Sequence, residues 1–256
     1  TGSCALFAAT SGSSVATAAT IGTVAIPQIE RRGYNERLFL GTVAAGGTLG
    51  ILIPPSINLI LYGLLTDTSV PELYLAGFIP GFLLAALFMA TVVALCILRP
   101  GWGGEPITVT WAERVAALPS LLPPIGIFLV VVGSIYAGLA TPTEAAALGV
   151  IAALGLAAAN GTLTIAMLRD AIEVTMRTTS MIMLIILAAV FLNFVLSVIG
   201  LTQALADFVT GLGMTPMQTM LVIVGVLLVI GCFMEPLSML LTTAPLLAPI
   251  VFALGF

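Results

Sequence analysis

The sequence is short of charge above all else. Only 7% of its 256 residues are Asp, Glu, Lys or Arg, against about 25% in a soluble domain. Lysine and histidine are absent, and the seven basic residues are all arginine, set against eleven acids. Without histidine, the usual zinc and haem ligands and the usual acid–base group are missing together. Cysteine is rare: Cys4, Cys96 and Cys232 stand in apolar surroundings, with no metal or redox spacing, and read as small hydrophobes. What is abundant is apolar surface. Hydrophobic residues make up 60% of the chain and its mean hydropathy is +1.24, too apolar to cover a water-facing surface. The fold class expected is an all-α polytopic membrane protein.

The most informative stretch is 41–56, GTVAAGGTLGILIPPS. Arg37 and Asp67 bracket 29 uncharged residues, enough to cross a bilayer. Yet Gly46, Gly47, Gly50, Pro54 and Pro55 fall inside that run. Glycine weakens a helix interior, and proline removes a backbone donor and clashes with the preceding turn. A spanning helix is therefore expected to break near mid-membrane, with unwound carbonyls around 46–48 and 53–56. Bare backbone groups at that depth are tolerated only when buried in protein or lining a cavity. A discontinuous spanning helix is also a sequence pointer to the binding site of a secondary transporter.

Taken in order, residues 1–10 read as a helix, interrupted by Ser11-Gly12-Ser13-Ser14, and 15–29 resume as a small-residue helix. The pair reads as a re-entrant hairpin with its tip at 11–14. Residues 30–37 hold three arginines and are placed in the cytoplasm by the positive-inside rule. The broken helix 38–66 leaves the cytoplasm and 73–98 returns as a plain span. Trp102 and Trp111, in the polar segment 99–117, read as interface anchors. The run 115–143 leads out to Ala140-Thr141-Pro142-Thr143-Glu144, where Thr141 is the N-cap, Pro142 the first helical residue and Glu144 a capping-box partner. Residues 145–159 return, ending at Asn160-Gly161. The segment 162–178 reads as an amphipathic helix on the membrane surface, and 179–200 crosses outward. A short outer helix with Asp207 follows over 201–213, then an apolar run to Met234, Glu235-Pro236, and a last apolar segment. Every arginine falls on one predicted side. The opening Thr1-Gly2-Ser3-Cys4 lies inside a helical pattern without an initiator Met or signal pattern, so the chain is expected to be a fragment of a longer protein.

Ser13, Thr20 and Pro27 stand seven apart, as do Glu235, Thr242 and Pro249. Each series runs from a helix-breaking tip to a proline, and arginine counting gives the two hairpins opposite orientations. That pattern suggests an inverted repeat of the kind found in alternating-access transporters. Hard oxygen donors suit sodium. Candidate ion-binding positions are Ser11, Gly12, Ser13, Ser14, Gly46, Gly47, Thr48, Pro54 and Glu235. Helix N-termini at the tip and after the break suit a carboxylate, and the candidate substrate-binding positions are Ser14, Pro55, Ser56, Asn58 and Thr242. Glu235 reads equally as a helix N-cap, and small residues elsewhere as packing. No catalytic group and no metal beyond sodium is expected, because no nucleophile–base pair or paired acids stand at membrane depth.

The blocks SGSSVATAATIGTVAIPQIERRGY, GTVAAGGTLGILIPPSINLILYG and ATPTEAAALG resemble the DctM-like large membrane subunit of tripartite ATP-independent periplasmic (TRAP) transporters. The resemblance covers essentially the whole chain. It implies an elevator-type fold of the ion transporter superfamily, in the bacterial inner membrane. It also implies sodium-driven uptake of an organic acid, with sodium as coupling ion and no other cofactor. The partners implied are a small four-helix membrane subunit, a periplasmic substrate-binding protein, a carboxylate substrate and the lipid bilayer, with no nucleic acid. Residues 1–66 would be the first hairpin and broken helix of a transport domain, 67–161 scaffold-type helices, 162–178 an interfacial arm, and 179–256 a second-repeat helix and hairpin. The second tip would be Phe233-Met234-Glu235-Pro236; the family commonly has Asp where Glu235 stands. A second broken helix would follow beyond Phe256. The alternatives are another sodium- or proton-coupled organic anion transporter of the same superfamily and, more remotely, a polytopic membrane enzyme.

Overall fold

A computed structural model describes residues 1–105, 110–201, 204, 211 and 213–253. All regular structure among them is helical. In chain order the helices are α1 (Gly2–Ser11), α2 (Ser14–Ala25), α3 (Pro27–Arg32), α4 (Glu36–Gly47), α5 (Leu49–Leu52) and α6 (Ile57–Thr66). There follow α7 (Val70–Leu98), α8 (Trp111–Ala117), α9 (Leu122–Tyr136), α10 (Pro142–Ala159), α11 (Ile165–Val198), α12 (Pro216–Gly231) and α13 (Pro236–Ala253). Among the described residues, five helical stretches are long and apolar enough to cross a membrane: Glu36–Thr66, Val70–Leu98, Trp111–Tyr136, Pro142–Ala159 and Ile165–Val198. The chain is thus an all-α, multi-pass membrane protein.

Short polar side chains start the helices. Asn35 accepts from the Leu38 N–H at 3.0 Å. Thr141 and Glu144 form the expected capping box, with Glu144 accepting from the Thr141 N–H at 2.8 Å. Thr215 and Gln218 form another. Each box satisfies N–H groups that a helix start otherwise leaves without partners.

Contacts divide the chain into two units: 1–60 with 69–163, and 61–68 with the described part of 164–256. In the first, the α1–α2 hairpin lies against α4 and α5, and α7 backs the break between α5 and α6. Glycines set these approaches. A Cβ on Gly47 would meet the Ala18 Cβ at 2.8 Å, and one on Gly50 would meet the Ser13 carbonyl carbon at 2.9 Å. On α7, the buried residues Tyr74, Gly77, Gly81 and Ala85 recur on one helical face. A Cβ on Gly77 would lie 2.8 Å from the Leu52 carbonyl oxygen, and one on Gly81 3.0 Å from Ile53. Ala85 joins Ala8, Leu49 and Ile53 in one core cluster.

Segments assigned to one side of the membrane meet in space. The Asn35 N–H donates to the Trp102 carbonyl at 3.2 Å, and the Glu105 N–H to the Arg32 carbonyl at 3.0 Å. Two arginine-bearing loops are therefore joined, and the Arg99 guanidinium lies 4.6 Å from the Trp102 ring centre. At the opposite ends, the Tyr136 hydroxyl donates to the Pro71 carbonyl at 3.0 Å.

Three expectations are corrected. First, Gly46 and Gly47 are not unwound: α4 runs through Gly47, because the space their missing side chains leave is filled by Cys4 and Ala18. Between Glu36 and Thr66 the backbone outside the helices is Thr48, a turn between α4 and α5, and 53–56. Helix α7 is the span expected over 73–98, and its small-residue face is what the break rests on. Second, 162–178 is not separated from 179–200. Helix α11 runs unbroken from Ile165 to Val198, as nothing between Arg177 and Met181 breaks a helix. Third, Cys232 is exposed rather than buried, being at the turn after α12. The short helix expected over 201–213, with Asp207, falls outside the described residues apart from 201, 204, 211 and 213.

Replacing Gly50 tests the seat of the hairpin. A Gly50→Ala side chain meets Ser13 backbone, which cannot swing aside, whereas Gly41, exposed on α4, has open space around it. We expect Gly50→Ala to destabilise the protein by about 1–3 kcal/mol. Gly41→Ala should be neutral or stabilising by up to about 1 kcal/mol. Thermal unfolding in detergent of the two variants checks both.

Candidate ion and substrate site at the hairpin tip

Helix α1 ends because Gly12 turns left-handed, at φ 61° and ψ 9°, with its N–H on the Ala8 carbonyl. That conformation favours glycine, and a Cβ there would also strike the Pro55 carbonyl oxygen. Ser13 is extended and caps α2 by accepting from the Ala16 N–H at 3.3 Å. Behind the tip lies Thr17, fully buried. Its hydroxyl donates to the Ser13 carbonyl at 2.7 Å and lies 2.9 Å from the Ser11 Oγ. Ser14, half-buried, has its side-chain hydroxyl unpaired among the described residues.

The break faces this tip. Ile53 is extended, the Pro54–Pro55 peptide is cis, and Ser56 leads into α6. Backbone donors can be counted through it. The Ile53 N–H goes to the Leu49 carbonyl at 2.9 Å, Pro54 and Pro55 have none, and the Ile57 N–H reaches the Gly12 carbonyl at 3.4 Å. Tyr74 of α7 is buried and lines the same cavity as Ser11 and Pro55. Acceptors are in surplus. The Ser56 hydroxyl donates to the Ile51 carbonyl, but no donor among the described residues reaches the carbonyls of Ile53, Pro54 or Pro55. Two prolines in sequence, each lacking an N–H, create that imbalance.

Tip and break thus bring Ser11, Gly12, Ser13, Ser14, Pro55 and Ser56 together, with Gly47 and Gly50 as the floor beneath Ser13 and Ser14. Pro54 is buried and turned toward Gly77 of α7. Asn58, half-buried in the first turn of α6, makes no side-chain hydrogen bond among the described residues. Thr48 stands apart: it is exposed and its hydroxyl donates to the Ala45 carbonyl at 2.7 Å. Gly46 contacts Cys4 rather than the tip.

In the second unit, α12 and α13 form a hairpin that turns at 232–235. Exposed Glu235 accepts from the Ser238 N–H at 2.9 Å, so its carboxylate caps α13. Ser13 and Glu235, the first members of the two seven-spaced series, each cap a helix through the N–H three residues on. The Thr242 hydroxyl donates to the Ser238 carbonyl at 2.8 Å. Among the described residues no His, Cys, Asp or Glu cluster could hold a metal ion.

The sequence reading missed Thr17 and Tyr74. Thr17 carries a signal: it stands four residues after Ser13, one turn behind a cap. Tyr74 carries none, because its neighbours Ile135 and Ala145 are contributed by other helices. Thr17→Val keeps the shape of the side chain while removing the hydroxyl that donates to the Ser13 carbonyl and lies against the Ser11 hydroxyl. We expect a loss of about 1–2 kcal/mol, against less than about 0.5 kcal/mol for the exposed Thr20→Val, read by thermal unfolding of both variants.

The family model described as the DctM component of the tripartite ATP-independent periplasmic transporter matches residues 1–256. The chain is 37% identical over 255 residues to the C4-dicarboxylate TRAP transporter large permease protein DctM of Pseudomonas aeruginosa, covering 98% of this chain and 59% of that protein. It is 33% identical over 255 residues to the sialic acid TRAP transporter large permease protein SiaM of Vibrio cholerae, covering 98% and 58%. It is 32% identical over 254 residues to the ectoine/5-hydroxyectoine TRAP transporter large permease protein UehC of Ruegeria pomeroyi, covering 98% and 59%. The chain therefore spans a little under three-fifths of the length of these relatives. Helical multi-pass architecture, a broken span seated on a hairpin tip and a match along its whole length converge on one conclusion: the chain belongs to the DctM family of tripartite ATP-independent periplasmic transporter components.

Proposed function

We propose that this chain is the part of a large permease subunit that holds a coupling sodium ion and the carboxylate of an organic acid at the first hairpin tip. The observation that carries this reading is the acceptor surplus at 53–55, of which the Pro55 carbonyl lies against Gly12 in a tip of three serines. Carbonyl and hydroxyl oxygens without donors suit a hard cation, and in a membrane interior they otherwise remain costly. Ser11, Ser13 and Ser14 with the 53–55 carbonyls would hold the ion. The N-terminal turns of α2 and α6, with Ser14, Ser56 and the free Asn58 amide, would hold the carboxylate. Pro55 shapes that turn. Glu235 and Thr242 would serve the second tip, Glu235 through the backbone it caps.

The relatives are named for C4-dicarboxylates, sialic acid and ectoine. These three are carboxylates and a further relative is named for isethionate, a sulfonate, so the shared chemistry lies at an anionic oxyacid end of the substrate, which we take to be a carboxylate. The same reading assigns an elevator-type movement of an inverted-repeat fold in the bacterial inner membrane. A small four-helix subunit and a periplasmic binding protein that delivers the substrate would be its partners.

The test uses the full-length subunit with its small partner in liposomes, a cognate binding protein and a labelled carboxylate. Wild type should take up substrate only with an inward sodium gradient. Ser13→Ala, which removes one oxygen at the tip, should raise the half-saturating sodium concentration by up to roughly tenfold. Uptake indifferent to sodium would reject sodium as the coupling ion.

A further inference from the structure

Between α4 and α7, both parts of membrane-spanning stretches, runs a groove of about 310 Å³. Its α4 wall carries Arg37, Gly41 and Ala45, spaced four apart and therefore on one helical face. Phe88 and Leu95 line it from α7, and Trp102, held by the Asn35 N–H, closes the end where Arg37 stands. Gly41 deepens the groove, since a Cβ there has open space around it. From residue 37 to residue 45 the helix rises about 12 Å. That depth lies within the roughly 15 Å of hydrocarbon in one leaflet of a bilayer.

The groove is apolar along its length and charged at one end. The two threonines on its helical walls turn their hydroxyls to their own helices, Thr42 to the Leu38 carbonyl at 2.7 Å and Thr91 to the Leu87 carbonyl at 2.8 Å. Arg37 is the one charged side chain among the described lining residues. Its side chain is exposed and in no ion pair; among the described residues the ion pair is that of Arg177 with Glu173. The surrounding loops hold Arg31, Arg32 and Arg99 beside Glu30, Glu36 and Glu105, so their charges cancel and recognition of an anion falls to Arg37. It stands in the first turn of α4, where the helix terminus adds partial positive charge. A guanidinium matches the oxygens of a phosphate, and tryptophan suits the headgroup level. A free phosphate would leave the apolar walls uncovered, and a zwitterionic headgroup would bring a second cation toward the arginine. What fits is an amphiphile with an anionic head.

We propose that the α4–α7 groove binds one acyl chain of an anionic phospholipid whose phosphate is held by Arg37. The site is separate from the hairpin tip and stands or falls independently of what is transported there.

The test uses the full-length subunit with its small partner, delipidated in detergent. It is titrated with phosphatidylglycerol, phosphatidylcholine or phosphatidylethanolamine, and bound lipids are counted by native mass spectrometry. One phosphatidylglycerol should bind roughly fivefold more tightly than either zwitterionic lipid. Arg37→Gln should remove that preference, while Arg169→Gln, an exposed arginine on α11, should keep it. Gly41→Leu, which fills the groove from a position with room, should weaken all three lipids by roughly tenfold. Equal binding of the three lipids by wild type overturns the anionic headgroup, and this comparison needs no variant. A preference that survives Arg37→Gln overturns the arginine contact. Unchanged binding in Gly41→Leu overturns the groove as the seat of the chain. Displacement of phosphatidylglycerol by soluble glycerol phosphate overturns the lipid in favour of a free phosphate ester.

Discussion

The structure depends on one constraint: two adjacent prolines halfway along an apolar helix leave backbone groups that lipid cannot satisfy. Pro54 and Pro55 delete two donors from a stretch whose carbonyls remain. The neighbouring groups widen or narrow that imbalance: the Ile57 N–H turns away to the Gly12 carbonyl of the tip, while the Ser56 hydroxyl donates back to Ile51. What is left over is acceptor capacity at 53–55. The proposed hard-cation site would be the complement of that excess.

Glycine and alanine make the arrangement possible in a different way from proline. Gly47, Gly50, Gly77 and Gly81 let four backbone segments approach where a methyl group would collide. In a membrane, where lipid tails are as apolar as side chains, such close packing and a few buried hydrogen bonds are what hold helices together. Thr17 illustrates the second contribution, with a hydroxyl bonded twice within the tip. The hairpin packs closely because its small residues lie against the break, with the buried Thr17 hydroxyl bonded inside the tip.

The two hairpins use different chemistry for the same local task. Ser13 caps α2 with a neutral hydroxyl, and Glu235 caps α13 with a carboxylate. Equivalent placement of a cap, a threonine one to two turns on and a proline after it is what the seven-residue spacing in each series describes. An exposed cap carboxylate also supplies negative charge where a helix N-terminus carries partial positive charge.

Much of this was legible in the chain itself. Charge scarcity, uncharged runs of membrane length and the arginine placement gave a multi-pass helical protein, because burial in lipid is decided by local composition. Ser11–Ser14 as a tip, Pro54-Pro55 as a break and Thr141–Glu144 as a capping box follow from backbone chemistry acting within four residues. Contacts between distant helices were not legible. Nothing local says that Gly46 and Gly47 remain helical, that α11 continues past Arg177, or that Tyr74 packs with Ile135 and Ala145. Spacing reports which face a residue occupies on its own helix, whereas the identity of the neighbour on that face depends on how several helices cross. The sequence by itself determined where the backbone must run short of donors, since proline carries no N–H in any fold. Only the tertiary structure decided where the amide after the break turns, because the Gly12 carbonyl that meets Ile57 belongs to the hairpin tip and reaches the break only once the unit has packed.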